Sequence, residues 1–186
     1  MIAPTSGQLV AGGCNLAGKG PHRYAAAGIA RTFQTPRVFT DMRVSENIGF
    51  GLKFAGPKRE ASWHLRNEQS ILDLIGLGAQ ALLPAAAITP SQQRLLEIGM
   101  ALATRPRMLL LDEVAAGLTE AEIENMAQLI RRTRDELDMT VVWIEHAVTT
   151  LLRHVERVIA DSTPANVVRN AGVIEAYLGD EMVATP

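Results

Sequence analysis

Cysteine is nearly absent. Cys14 is the only one in 186 residues, which excludes an internal disulfide and fits a reducing compartment. Aromatic residues are scarce at 4%, leaving few platforms on which single-stranded nucleic acid could stack. No charge of one sign prevails: 18 Lys and Arg against 20 Asp and Glu give a formal −2. A basic field of the kind nucleic acid demands is therefore missing, and no nucleic-acid partner is expected. No apolar run approaches the roughly 20 residues of a bilayer span, so the chain itself is not expected to cross a membrane. Met1 to Gly7 has no basic start followed by an apolar stretch, and reads as no secretion signal. Internal repeats and low-complexity tracts are also lacking. What is present is 47% apolar and 20% charged residues, the composition of one ordinary globular core.

The first 30 residues are weakly organised, with Gln8-Leu9-Val10-Ala11 as a short strand before Gly12-Gly13. Gly18, Gly20 and Pro21 argue against a continuous helix there. Residues 37–56 read as short apolar stretches broken by Gly49, Gly51 and Gly56. A helix is expected over 60–77, with Trp63, Ile71, Leu74 and Ile75 apolar and Gly76 and Gly78 at its end. Residues 79–88 are Ala-rich, interrupted by Pro84, and suit a loop or a short helical piece. Thr89 announces a helix as N-cap, with Pro90 at the first helical position and Gln92 at capping-box spacing. That helix must stop before Pro106. Met108-Leu109-Leu110-Leu111 is an unbroken apolar run, the mark of a strand covered on both faces in a parallel sheet. Thr119 and Glu122 repeat the capping box for a helix with Ile123, Met126, Ile130 and Leu137 as its buried stripe. Thr140-Val141-Val142-Trp143-Ile144 is a second strand. The alternation of helix and strand is that of an α/β domain, whose ligands bind at the carboxyl ends of the strands.

Both strands end in ionisable groups. Leu109-Leu110-Leu111-Asp112-Glu113 has the form of a Walker B segment. An apolar strand there holds Asp112 where it could orient Mg²⁺ beside nucleotide phosphates, with Glu113 placed to polarise water. The same residues also read as an acidic pair that ends a strand. His146 follows the second strand, where a phosphate would give its ring N–H a charged acceptor. Gly13 to Gly20 fits G-x-x-x-x-G-K, but Gly20 stands in place of the hydroxyl residue and no buried strand precedes it. It is expected not to be a phosphate loop.

Gly28-Ile29-Ala30-Arg31-Thr32-Phe33-Gln34, Gln92-Gln93-Arg94-Leu95-Leu96-Glu97-Ile98, Leu111-Asp112-Glu113 with Ala115-Ala116-Gly117-Leu118, Glu145-His146 and Val173-Ile174-Glu175-Ala176-Tyr177-Leu178-Gly179 occur in that order. Together they resemble the ATP-binding subunit of an ABC transporter, most closely the branched-chain (hydrophobic) amino acid importer group. The resemblance implies a P-loop NTPase-like α/β fold, with a mainly parallel sheet flanked by helices and a small helical subdomain over about 35–105. It implies one partial ATPase domain over 1–186, with a C-terminal tail at 160–186. The family's first strand, its phosphate loop and its adenine-stacking aromatic would fall before Met1. Ile88-Thr89-Pro90-Ser91-Gln92 stands where the signature usually reads Leu-Ser-Gly-Gly-Gln, Val114 where a Pro is usual, and residues 158–164 lack part of a hairpin.

Carried over residue by residue, the resemblance makes Gln34 the Q-loop glutamine that senses Mg²⁺ and γ-phosphate. Asp112 positions the metal, Glu113 activates water and His146 holds the γ-phosphate. Thr89, Pro90, Ser91 and Gln92 serve the nucleotide of a second ATP-binding subunit, in a homo- or heterodimer. ATP and Mg²⁺ are the implied cofactors. Transmembrane permease subunits are the implied partners and a substrate-binding protein an indirect one, at the cytoplasmic face of the cell membrane. These 186 residues alone are expected to bind MgATP weakly and to expose apolar sheet edges. A non-catalytic remnant that only docks to transporter subunits is the alternative, decided by the reading frame upstream of Met1. A small-molecule kinase using Gly13 to Gly20 is a third reading.

Overall fold

The computed structural model describes residues 7–54, 65, 67–145 and 170–173. The chain divides into two units, residues 1–146 and 147–186. His146, residues 158–164 and 174–179, the expected first turn of the 60–77 helix, and Pro4 to Ser6 lie outside the described residues.

The first unit begins with a hairpin of two-residue strands, β1 (Val10–Ala11) and β2 (Cys14–Asn15), turned by Gly12 and Gly13 at φ 55° and 78°. Leu16 is buried behind it, and α1 (Pro21–Ala26) follows at the Gly20-Pro21 step. The G-x-x-x-x-G-K pattern is thus spread over a hairpin turn, a strand and a loop. It is not the strand–loop–helix that a phosphate loop requires.

β3 (Ile29–Arg31), β4 (Met108–Asp112) and β5 (Thr140–Ile144) form a parallel sheet in that order, with β4 central. Its register sets Arg31 opposite Leu110 and Asp112 opposite Ile144, so the three carboxyl ends emerge together. Leu109 and Leu111 share a face with Val141 and Trp143 and join the main core. The opposite face carries Met108, Leu110 and Asp112 beside Val142 and Ile144, and the last two are exposed. The unbroken apolar run predicts burial on both faces. Instead β4 is fully buried on one face and half-buried on the other, because its β5 neighbours on the second face stay in solvent.

Helices supply the rest of the core. α4 (Pro90–Ala103) and α5 (Glu120–Leu137) start on the expected caps: Thr89 Oγ1 accepts from the Gln92 N–H at 3.2 Å, and Thr119 Oγ1 from the Glu122 N–H at 3.4 Å. Met126 and Leu137 of the expected α5 stripe are buried, joined by Ala127, Leu129 and Thr133, while Ile123 and Ile130 are half-buried. The described part of the expected 60–77 helix is one element. α3 (Glu68–Leu74) starts at Asn67, whose side chain accepts from the Ser70 N–H at 2.9 Å, and ends at Gly76, which takes φ 72°.

Residues 37–56 hold a helix that the glycines concealed, α2 (Val44–Lys53). Buried Asn47 fixes its entry, accepting from the Phe39 N–H at 2.8 Å and donating to the Phe39 and Arg43 carbonyls. Gly51 lets α2 lie against α4, since a Cβ there would stand 2.7 Å from Ala103 Cβ and from the Met100 carbonyl oxygen. The Ala-rich segment forms two 3₁₀ turns, Gly78–Gln80 and Ala85–Ala87. In the second unit Asn170 caps a helical turn over 171–173, accepting from the Gly172 N–H at 2.9 Å.

Candidate functional site

The mouth of the parallel sheet gathers the ionisable groups. Asp112 ends β4 and its N–H donates to Oγ1 of fully buried Thr32, the residue after β3, at 3.3 Å. Its carboxylate meets Arg31, with Nη2 to Oδ2 at 2.6 Å. Asp112 is 29% exposed and Arg31 55%, so solvent screens the pair and its net worth is small.

Glu113 follows in the left-handed region at φ 51°, a backbone conformation that costs free energy for a non-glycine residue and gathers at functional sites. Bonds from several segments reach it. Its N–H donates to the Ile144 carbonyl at 2.9 Å, its carbonyl accepts from Arg94 Nη1 at 2.6 Å and from the Ala116 N–H at 3.3 Å, and Oε2 accepts from Gln34 Nε2 at 2.6 Å. Gln34 and Glu113, 79 positions apart, are therefore in direct contact, with Asp112 between Glu113 and the strand. Just beyond, Val114 is fully buried where the family pattern has Pro. Glu145 at the end of β5 accepts from the Ala115 N–H at 2.6 Å and from Trp143 Nε1 at 2.9 Å. It pins the segment after Glu113 to the neighbouring strand.

The Gln34 loop is anchored from α4. Glu97 is 5% exposed, and its two carboxylate oxygens accept from the Phe33 N–H at 3.4 Å and the Arg37 N–H at 3.0 Å. Burial pushes the Glu97 carboxyl above its ordinary value, against the pull of these two N–H groups and of the Arg94 and Arg37 guanidiniums. Arg37 and Arg31 both approach the Phe33 ring, at 4.3 and 5.2 Å from its centroid.

Thr89, Pro90, Ser91 and Gln92 form the first turn of α4. Thr89 and Ser91 hydroxyls lie 3.0 Å apart, and the Thr89 N–H donates to Gln92 Oε1 at 3.0 Å. On α5, the Thr119 N–H and hydroxyl, with the Ser91 hydroxyl as a smaller influence, hold the Glu122 carboxyl below the ordinary range. A cleft of about 670 Å³ opens beside this turn, between Leu74 to Gly76 and the α5 face that carries Glu122, Asn125 and Arg132. Its lining includes none of Gln34, Asp112 and Glu113.

Sequence reasoning named Gln34, Asp112 and Glu113, which meet in space, and Thr89 to Gln92, which are tied to one another. It did not single out Arg31, Thr32, Arg94 or Glu97. A carboxylate inside the apolar run Leu95, Leu96, Ile98 was a visible signal for Glu97, because an acid on a buried helix face needs partners.

A parallel sheet whose mouth presents an aspartate, a strained glutamate and a glutamine defines an α/β nucleoside triphosphatase. Comparison narrows the class. A model of the ABC transporter family matches residues 1–116. The branched-chain amino acid transport ATP-binding proteins BraF of Pseudomonas aeruginosa and LivG of Escherichia coli K12 are each 31% identical over 198 residues, spanning 95% of this chain and 78% of theirs. The ADP conformation of MJ1267, an ATP-binding cassette of an ABC transporter, superposes with TM-score 0.63 at 26% identity, over 90% of this chain and 74% of that one. The chain belongs to the ABC transporter ATP-binding family, and by that membership is an ABC-type ATPase.

Proposed function

We propose that this chain is the ATP-hydrolysing subunit of an importer for branched-chain or other amino acids. The observation that carries the reading is the Gln34–Glu113 bond beside Asp112, supported by the transport role named for BraF and LivG. Domain boundaries stay those of the family resemblance, a single ATPase domain with 35–105 as its helical part and 160–186 as its tail.

The donor set fits Mg²⁺. Asp112 and Gln34 each offer one oxygen ligand. That suits a cation which takes one or two protein oxygens and fills its remaining positions from phosphate and water. Mg²⁺, when bound, would neutralise charge on the phosphate oxygens. Asp112 and Gln34 would hold it. Gln34 also orients the Glu113 carboxylate, which takes the proton of the attacking water. The family resemblance gives His146 the role of donor to the terminal phosphate. Thr89, Pro90, Ser91 and Gln92 present an N-terminal helix turn to the nucleotide of a second subunit, whose negative charge the helix end favours.

The permease docks near the Gln34 loop. Phe39, Phe50 and Phe54 form a row of edge-on and tilted ring contacts with centroids 4.8 and 5.1 Å apart, all of them exposed. No helix among the described residues is long and apolar enough to cross a membrane. The transport role named for BraF and LivG supports a chain held at the inner face of the membrane by its permease. Alone it binds MgATP weakly, because Gly13 to Gly20 offers no phosphate loop, and micromolar affinity by calorimetry would contradict this.

The test is the chain co-purified with its permease subunits, assayed for MgATP hydrolysis and for uptake of labelled leucine into vesicles. Glu113→Gln should cut hydrolysis about 10²- to 10⁴-fold while leaving assembly intact. Equal hydrolysis by wild type and Glu113→Gln would instead mark a non-catalytic docking chain.

A further inference from the structure

α4 reaches the reacting pair by two routes one turn apart. From Arg94, Nη1 donates to the carbonyl of Glu113 at 2.6 Å, and Nε of the same guanidinium is buried with no hydrogen-bond partner. From Glu97, the two carboxylate oxygens take the N–H groups on either side of Gln34, those of Phe33 and Arg37. Gln34 and Glu113 then close the circuit at 2.6 Å. Each connection joins segments about 20 to 80 positions apart in sequence, so none is a by-product of local chain geometry.

We propose that Arg94 and Glu97 are positioning residues which set the contact between Gln34 and Glu113, and so carry any displacement of the Thr89–Gln92 end of α4 to the water-activating carboxylate. The physical case rests on what the two side chains oppose. Glu113 sits at φ 51°, a conformation that costs free energy for a non-glycine residue, and Arg94 grips its carbonyl from α4 at 2.6 Å, beside the local Ala116 N–H at 3.3 Å. Phe33, Gln34 and Arg37 are exposed loop residues, and Glu97 gives that loop a fixed, buried anchor. Because α4 is one 14-residue helix, its capped first turn and these two anchors move as a body. The proposal deepens the ATPase reading and rests on it for its catalytic consequence, though not for its geometry.

The test uses the full ¹⁵N-labelled chain and the variants Glu97→Gln, Arg94→Lys and Glu113→Gln. Glu113→Gln should move the Gln34 side-chain amide signal, and Glu97→Gln and Arg94→Lys should move it in the same direction. Glu97→Gln should also speed hydrogen exchange at the Phe33 and Arg37 amides about ten-fold, while Arg94→Lys leaves them unchanged. In the permease complex either variant should lower kcat about ten-fold with KM for ATP within about two-fold. The proposal is overturned if Glu113→Gln moves the Gln34 signal while Glu97→Gln and Arg94→Lys do not. Should one of those two variants fail to fold, the other decides alone. A wild-type complex that hydrolyses no ATP defeats the ATPase reading, yet leaves the Gln34 signals to decide the positioning role.

Discussion

Gly51→Ala sets two known effects against each other on one helix. Replacing glycine by alanine inside α2 gains about 0.8–1 kcal/mol of helix propensity. The new Cβ would stand 2.7 Å from Ala103 Cβ and 2.7 Å from the Met100 carbonyl oxygen, both on α4. Carbon contacts settle near 3.5–4.0 Å, so the two helices must part by about 1 Å at this point. Neither neighbour can swing aside, as one is a methyl on a fully buried residue and the other is backbone. Overpacking of this kind costs about 1–3 kcal/mol, which leaves Gly51→Ala neutral to about 2 kcal/mol destabilised. Gly49→Ala is the internal control. The nearest atoms to its Cβ all belong to Glu68, led by Oε1 at 2.9 Å, the flexible end of an exposed side chain. The propensity gain is common to both variants, so their difference isolates the helix–helix clash. At about 2–4 °C per kcal/mol for a chain of this size, Gly49→Ala should melt above wild type and Gly51→Ala at or below it. Differential scanning calorimetry measures this directly. A melting temperature for Gly51→Ala equal to or above that of Gly49→Ala would refute the close-contact account of α2 and α4.

Arg31→Met removes the cation on Asp112. Because both partners are partly exposed, unfolding by urea should shift by no more than about 1 kcal/mol, and the Mg²⁺ needed for half-maximal hydrolysis should fall; a rise would show that Arg31 assists the metal instead of competing with it. Thr119→Ala deletes the hydroxyl that accepts from the Glu122 N–H and should cost about 1 kcal/mol in thermal unfolding. Glu97 gives a pH signature whose sign follows from its raised pKa. Between the ordinary carboxyl value and the raised one, the folded chain binds more proton than the unfolded chain. Its contribution to stability is therefore complete below the ordinary value and is lost as pH rises through the raised one. Urea midpoints should fall as pH rises from the ordinary carboxyl value upward, and Glu97→Gln should flatten the slope.

What the sequence made legible is what local chemistry dictates. Thr89 with Gln92 and Thr119 with Glu122 complete their capping boxes within three residues, and both helices start where that spacing places them. Asp112 and Glu113 end an apolar strand, and the carboxyl end of that strand is the mouth of the sheet. α2 was hidden because a glycine has two meanings. Gly49 and Gly51 read as breaks in the chain, whereas Gly51 is the place where α4 comes close. Only the partner helix separates the two, and the partner is about 50 positions away. The same limit governs the site. Gln34, Asp112 and Glu113 are visible as motif members, but Glu97 means little until its carboxylate is seen astride Gln34, and Arg94 means little until it is seen on the Glu113 carbonyl. Motifs mark the groups that touch the reacting atoms, while the groups that aim them sit wherever the fold brings a buried charge within reach. A charged residue on an otherwise apolar helix face is the trace such a group leaves in sequence. In α4 that trace is the pair Arg94 and Glu97, one turn apart, between a capped first turn and a buried last one.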